Sequence, residues 1–211
     1  EYRKLYPPDA IAPRMYGTIK AHKPEKNYPM RMIVSTIGTA AYQLANHLVC
    51  LIQPTLDKNP TTINNTVSFV NKAKQWNIEL TEVQVSYDVQ NLYPSVPIQR
   101  AIDAVIEIIS TDDEFTTRTK LTLQDVKQLL QVCLAENYFL WNDQMRKMED
   151  SGPIGLSLMV TMAEAYLQKL ESKAIIEAEL KMFWRRPFTD TLMIRMVALK
   201  LWRMPKDFKS F

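Results

Sequence analysis

Hydrophobic and polar residues alternate strictly over a short stretch near the middle of the chain. Val83, Val85 and Tyr87 alternate with polar neighbours, and β-branched and aromatic residues favour extended backbone. The pattern predicts a strand that ends at Asp88. A carboxylate at a strand end is held rigidly and can still reach a ligand beyond the strand. The alternative is that Asp88 only caps the turn that follows.

Other segments carry apolar residues at helical spacing. In the stretch from Ile98 to Ile109 the apolar positions fall on one face of a helix. A second helix begins near Thr122, the candidate N-cap residue, with Asp125 three positions later. Further helices are predicted over 39–52, which Pro54 ends, over 66–76, capped by Thr66, and over 157–178. A strand followed by helices in this order indicates an α+β fold.

Three predicted hairpins complete the pattern. They cover 14–35, with a basic turn, 137–148, with Asn142-Asp143 at the turn, and 183–194, with Asp190 at or near the turn. Residues 1–12 are polar and contain prolines, so we expect an irregular segment there. Residues 195–211 mix apolar and basic residues and predict a further strand or helix.

Composition excludes several classes of protein. The chain is 46% hydrophobic and 23% charged with a net charge of +3, which suits a folded core and not a disordered polyelectrolyte. We find no signal peptide and no apolar run that would span a membrane. Cys50 and Cys133 occur in apolar helical patterns and are predicted to be reduced core residues of an intracellular protein. His22 and His47 are too few and too scattered for a zinc site.

The first hairpin carries candidate chemistry. It is expected to project Lys20, Lys23 and Arg31 to one side, where three cations can clamp a triphosphate or a nucleic-acid backbone. Arg31 can bind a phosphate with two parallel hydrogen bonds. The plainer interpretation is a solvated basic surface.

Two of the four glycines lie together before the last long helix. Gly152 and Gly155 flank Pro153-Ile154, and the helix follows from about Ser157. Glycines at this position expose backbone amides to a ligand at a helix N-terminus. The alternative is an ordinary entry from a loop into a helix.

Five short motifs follow one another in a specific order. They are Pro13-Arg14-Met15-Tyr16-Gly17 with Lys20 and His22-Lys23-Pro24; Arg31-Met32-Ile33-Val34-Ser35; Tyr87-Asp88-Val89 with Leu92-Tyr93 and Val96-Pro97; Gly152-Pro153-Ile154-Gly155; and Phe183-Trp184-Arg185-Arg186. Together they resemble the reverse transcriptase domain of Penelope-like retroelements, over about residues 13–194. Their order and spacing carry the resemblance, since no single motif is specific.

The resemblance implies a right-hand polymerase fold. The fingers would cover 13–82 and include the basic hairpin, and the palm would cover 83–194, with an antiparallel sheet backed by helices. The long helix after Gly155 would lie under the template and the incoming nucleotide. Residues 195–211 would be the truncated end of the palm or the start of a thumb, so we expect the thumb to be truncated or missing.

The resemblance also implies an RNA-directed DNA polymerase that uses two magnesium ions and binds an RNA template, a DNA primer and deoxynucleoside triphosphates. Asp88 would ligate both ions, the Val89 carbonyl would help to hold one, and Asp190 would belong to the same site. Tyr93 would pack against the sugar and exclude a 2′-hydroxyl. The residues expected to bind the triphosphate or template are Lys20, Lys23, Arg31, Gly152 and Gly155. A nuclear location is expected for such an enzyme.

The last palm turn departs from the family pattern. The family has Arg-Tyr/Phe-Val-Asp-Asp-Thr, whereas this chain has Arg186-Pro187-Phe188-Thr189-Asp190-Thr191. Without a gap, which we favour, Thr189 replaces the metal-binding aspartate and Asp190 is the second. If Pro187 is an insertion, Asp190 is the first and Thr191 replaces the second. Either register lacks one carboxylate facing the metals, so we expect weak or absent polymerisation.

Two other functions stay open. A non-catalytic remnant of a retroelement polymerase would bind nucleic acid through its basic hairpin and tail and would not need Asp88. A plain α/β or α+β domain would bind none, but the order of the five motifs disfavours it.

Overall fold

The structure, a computed structural model, describes residues 5, 9–21, 23–63, 65–77, 82–89, 92–134, 138–148, 152, 154–180, 192–194 and 199–205. For 82–88, 175–180, 192–194 and 199–205 it describes the backbone alone. The chain divides into two compact units, Glu1–Leu56 with Asn91–Lys169 and Asp57–Gln90 with Leu170–Phe211. The predicted limits of fingers and palm stay a prediction.

Strands and helices are mixed along the chain, which confirms the α+β class. Within the described residues, no helix is long and apolar enough to cross a membrane. The elements are β1 (Arg14–Ile19), β2 (Met30–Ser35), α1 (Tyr42–Leu56), β3 (Thr62–Ile63), α2 (Thr66–Ala73), β4 (Glu82–Asp88), α3 (Leu92–Ser95), α4 (Ile98–Ser110), α5 (Phe115–Arg118), α6 (Leu123–Leu134), β5 (Tyr138–Trp141), β6 (Gln144–Lys147), α7 (Ser157–Leu180), β7 (Leu192–Ile194) and β8 (Leu199–Pro205).

The first unit contains a four-stranded sheet with the strand order β2-β1-β5-β6. The antiparallel pair β1 and β2 places Gly17 opposite Met32 and Thr18 opposite Arg31, which confirms the predicted hairpin over 14–35. Strand β5 joins β1 in parallel, and the Leu140 amide donates a hydrogen bond of 2.7 Å to the Pro13 carbonyl. Strand β2 therefore lies at one edge of the sheet.

The two turn residues explain why the second hairpin of this unit forms. Asn142 and Asp143 have φ angles of 48° and 58°, so both central residues of the turn are left-handed. Two such residues make the tight turn whose twist matches a pair of antiparallel strands, and Asn and Asp tolerate that conformation best after Gly. The prediction of a hairpin over 137–148 is confirmed for the described strands β5 and β6.

Helices of the first unit enclose one hydrophobic core. Helix α4 begins after Pro97 and buries the apolar face that its spacing predicted. Fully burying a side chain of the size of Leu or Ile stabilises the fold by about 1.5–3 kcal/mol. The largest fully buried side chains of this core are Leu48, Ile52, Leu56, Ile102, Ile109, Leu130, Leu134, Leu158, Met159, Met162 and Val96.

Helix α6 begins at the capping box that the sequence predicted. The Asp125 amide donates to Thr122 Oγ1 (3.1 Å), and the Thr122 amide donates to Asp125 Oδ2 (2.8 Å). Two backbone donors at the helix N-terminus are thereby satisfied. Hydrogen bonds from Thr122 lower the pKa of the Asp125 carboxyl below its usual value.

The prediction that Pro54 ends the helix over 39–52 is wrong, because α1 continues to Leu56 with Pro54 inside its last turn. Proline lacks one helical hydrogen bond and crowds the preceding turn. The contacts of the last turn compensate: Leu56 is fully buried, and Thr55 Oγ1 donates to Asp112 Oδ2 (2.5 Å). The same carboxylate accepts from Arg118 Nη2 at 2.6 Å, so an ion pair anchors the end of α1.

The second unit contains the sheet β3-β7-β8-β4. Strand β4 confirms the strand predicted to end at Asp88, and it pairs with β8 in antiparallel so that Asp88 lies opposite Leu199. The tail after residue 194 therefore contains a strand. Helix α2 is capped by the Asn65 side chain, which accepts from the Ser68 amide at 2.8 Å, and not by Thr66 as predicted.

The two cysteines differ in their surroundings, although both patterns predicted core residues. Cys133 is buried in α6, whereas Cys50 on α1 is exposed. Both thiols are free. Burial raises the pKa of Cys133 from the usual 9.0 to about 12. The helical pattern placed Cys50 beside the apolar face of α1, but it could not predict how much of that face neighbouring elements bury.

We expect a thiol reagent such as iodoacetamide to label native protein at Cys50 and to leave Cys133 unmodified, because only the thiolate attacks and burial keeps the Cys133 thiol neutral. Peptide mass spectrometry of native and urea-unfolded protein measures this.

The unfolded chain ionises Cys133 near pH 9 and the folded one near 12, so the free energy of unfolding should fall as the pH rises above about 9. A Cys133→Ala variant should lose that alkaline slope, and rapid native labelling of Cys133 would contradict the burial.

Candidate functional site

The tip of the first hairpin is held by backbone hydrogen bonds. The Lys20 amide donates to the Pro29 carbonyl (3.0 Å), and the Lys23 amide donates to the Lys20 carbonyl (3.0 Å). A short 3₁₀ turn follows, and Asn27 and Tyr28 after it have positive φ angles. Backbone hydrogen bonds therefore hold both lysines in place at the tip of the hairpin.

Cations of this hairpin have no acidic partner within the described part of the chain. Lys20 and Lys23 are half-buried, Arg31 is exposed, and none of the three makes an ion pair with a described residue. By contrast, Lys127 pairs with Asp103 at 3.0 Å, and this contact lowers the pKa of the Asp103 carboxyl. Among the described residues, no acidic side chain neutralises these three cations, as a site for an anionic ligand would require.

Two further residues share a face with Arg31. Residues opposite each other in an antiparallel pair lie on one face, and every second residue returns to it. Arg31 lies opposite Thr18, so Tyr16 and Arg14 are on the same face. Tyr16 is 47% exposed. The motif-based prediction did not single out Arg14 or Tyr16 as ligand-binding, although strand alternation carries that signal.

The segment 154–157, which we call the glycine turn, lies against the edge of β2. The Val34 amide donates to the Ile154 carbonyl at 2.8 Å. Gly155 has a φ of +131°, and a Cβ atom there would lie 2.3 Å from the Val34 carbonyl oxygen. Such a contact is possible only without a side chain. The structure thus brings together two predicted binding segments, the strand that carries Arg31 and the turn that contains Gly155.

Gly152 has a packing role. It is buried, and a Cβ atom there would lie 1.8 Å from Met159 Sδ. Tyr93 lies in α3 and is partly buried against the hydrophobic core of the first unit. Ligand binding by Gly152 and a sugar-side role for Tyr93 stay predictions.

The predicted metal site lies partly beyond the described residues. Asp88 is the last residue of β4 and Val89 follows it, 37% exposed, in the second unit. Thr189 and Asp190 lie outside the described ranges, as does most of the hairpin predicted over 183–194. Among the residues that are described, no group of three or more metal-ligating side chains comes together. The magnesium site therefore stays a prediction.

Comparison with known proteins shows that the fold of this chain is similar to that of two solved structures. No protein-family model and no curated protein matches the chain. A solved structure of telomerase from Candida tropicalis in complex with a TWJ fragment of telomeric RNA has a TM-score of 0.61 at 13% identity, covering 94% of this chain and 37% of that chain. Apo telomerase from the same organism has a TM-score of 0.60 at 13% identity, covering 97% and 39%.

These values show a shared fold and nothing finer. The expected α+β class is supported, and the fold of this chain is similar to that of part of the telomerase chains. The chain spans less than two-fifths of the length of the telomerase chains it matches.

The close approach of the glycine turn to β2 gives a stability test. Gly155→Ala should lower the free energy of unfolding by at least about 3 kcal/mol, because it adds backbone strain and a clash with the Val34 carbonyl. Gly38→Ala is the matched control. Gly38 also has a positive φ, +78°, but a Cβ atom there would meet only the Ile11 side chain at 3.5 Å. It should cost about 1–2 kcal/mol.

Urea unfolding followed by circular dichroism measures both variants. Equal losses in the two would show that no close contact exists between Gly155 and β2.

Proposed function

We propose that this chain is the RNA-directed DNA polymerase domain of a Penelope-like retroelement. The observation that carries the proposal is the backbone contact between β2 and the glycine turn. These segments belong to different motifs of the resemblance and are far apart in the sequence. Arg31 is exposed on the strand that borders the turn, and this arrangement supports a shared binding surface for a nucleic acid and a nucleotide.

The fold comparison supports the same proposal. Both similar structures are telomerases, and one of them is a complex with telomeric RNA. A fold of this kind suits a chain that binds an RNA template and a DNA primer. The fingers would then be residues 13–82 and the palm 83–194.

The chemistry would take place at the end of β4. The Asp88 carboxylate, the Val89 carbonyl and Asp190 are the groups proposed to hold two magnesium ions. When bound, such ions help to ionise the primer 3′-hydroxyl and neutralise the leaving pyrophosphate. The primer oxygen attacks the α-phosphorus of the nucleotide, and the bond to pyrophosphate breaks in line with it. Arg31, Lys20 and Lys23 would hold the phosphates or the template.

Loss of one carboxylate should make this reaction slow. We expect little primer extension by the natural chain, and an increase of about 100-fold or more when the missing aspartate is restored, since several kcal/mol of charge stabilisation return. Thr189→Asp should restore activity in the ungapped register, and Thr191→Asp should do so if Pro187 is an insertion. Extension of a labelled DNA primer on an RNA template, with and without magnesium, measures this.

The control is Asp88→Ala in the restored background, which should abolish extension in either register. If neither threonine replacement gives magnesium-dependent extension, the catalytic part of the proposal is wrong for this chain.

A second candidate function is nucleic-acid binding without catalysis. The hairpin cations favour it, because they have no acidic partner among the described residues and need no metal site. Arg31→Ala should weaken binding to an RNA–DNA primer–template and lower the salt slope of the affinity by about 1, the value for one lost phosphate contact.

Fluorescence anisotropy over a range of salt concentrations measures this effect. Lys127→Ala is the matched control, since Lys127 is already paired with Asp103. Equal affinities of the two variants would show that the hairpin is not the binding surface.

A further inference from the structure

The glycine turn is held by three parts of the first unit. Ile154 accepts from the Val34 amide on β2 at 2.8 Å. The Gly155 carbonyl accepts from Thr36 Oγ1 at 3.2 Å. Ser157 Oγ donates to Asn46 Oδ1 on α1 at 2.6 Å. Three residues within four positions thus have partners on a strand, a loop and a helix.

Thr36 is itself fixed on its other side. It is 4% exposed, and its carbonyl accepts from the Thr39 hydroxyl at 2.7 Å and from the Thr39 amide at 3.1 Å. Its side-chain hydroxyl is therefore presented to Gly155 from a closed turn. Thr36 directly follows β2, so it couples the turn to the strand that carries Arg31.

We propose that Thr36 is a positioning residue, whose hydroxyl orients the glycine turn relative to Arg31 so that both segments contact one nucleic acid as a rigid surface. The inference rests on the proposed function, because Arg31 and Gly155 are candidate binding residues there. Gly155 is exposed, so its carbonyl can accept from water when the hydroxyl is removed. Removal of the Thr36 hydroxyl should therefore mainly loosen the orientation of the glycine turn, with a smaller effect on the stability of the fold.

Thr36→Val removes the hydroxyl and keeps the shape of the side chain, whereas Thr36→Ser keeps the hydroxyl. Thr161→Val is the matched control, since Thr161 is 1% exposed and its hydroxyl donates to Gln53 on α1 (3.1 Å), away from the turn. We would measure amide hydrogen exchange of a peptide that covers 154–158, together with the Kd for an RNA–DNA primer–template by anisotropy.

Thr36→Val should speed exchange over 154–158 and raise the Kd about 5- to 10-fold, which corresponds to one hydrogen bond of ordinary strength. Thr36→Ser should restore both, and Thr161→Val should change neither. Unchanged exchange in Thr36→Val would overturn the inference, and so would faster exchange with an unchanged Kd. If the natural chain does not bind primer–template at low salt, the proposed function fails, and the inference fails with it.

Discussion

One backbone hydrogen bond, from the Val34 amide to the Ile154 carbonyl, joins the edge of the first sheet to the turn that precedes α7. It leaves no room for a side chain at Gly155, whose backbone lies against the Val34 carbonyl. Arg31 lies three residues earlier on the same strand, so strand geometry alone places its Cα roughly 10 Å from that of Val34. The candidate binding surface follows from this one contact between distant segments.

Helix α1 supports the same arrangement from the core side. Polar side chains of α7 meet it at successive points: Ser157 bonds Asn46, Thr161 bonds Gln53, and Gln168 Nε2 donates to the Leu56 carbonyl. These pairs advance in the same direction along both helices, which therefore run parallel here. The Gln168 contact is buried and the other two are partly buried, and together they hold α7 alongside α1. The pair that lies beside the glycine turn, at the start of α7, is Ser157 with Asn46.

Local patterns predicted those elements whose causes are local. The hairpin over 14–35, the turn at Asn142-Asp143 and the cap at Thr122 each depend on residues a few positions apart. The end of α1 was predicted wrongly because the contact between Thr55 and Asp112, which comes from another part of the chain, outweighs the effect of Pro54. Cys50 was predicted wrongly for a related reason, since helical spacing shows which residues share a face but not how much of it is covered.

The sequence by itself determined the α+β composition, the strand that ends at Asp88 and the candidate binding residues, because alternation, capping and motif order are properties of neighbouring positions. Only the tertiary structure decided that β5 joins β1 in parallel, that Tyr16 and Arg14 share a face with Arg31, and that Gly155 lies against Val34. Such pairings depend on which distant backbone groups satisfy each other's hydrogen bonds when the chain closes around its core. Packing of the whole chain decides these pairings, so no local segment of the sequence predicts them.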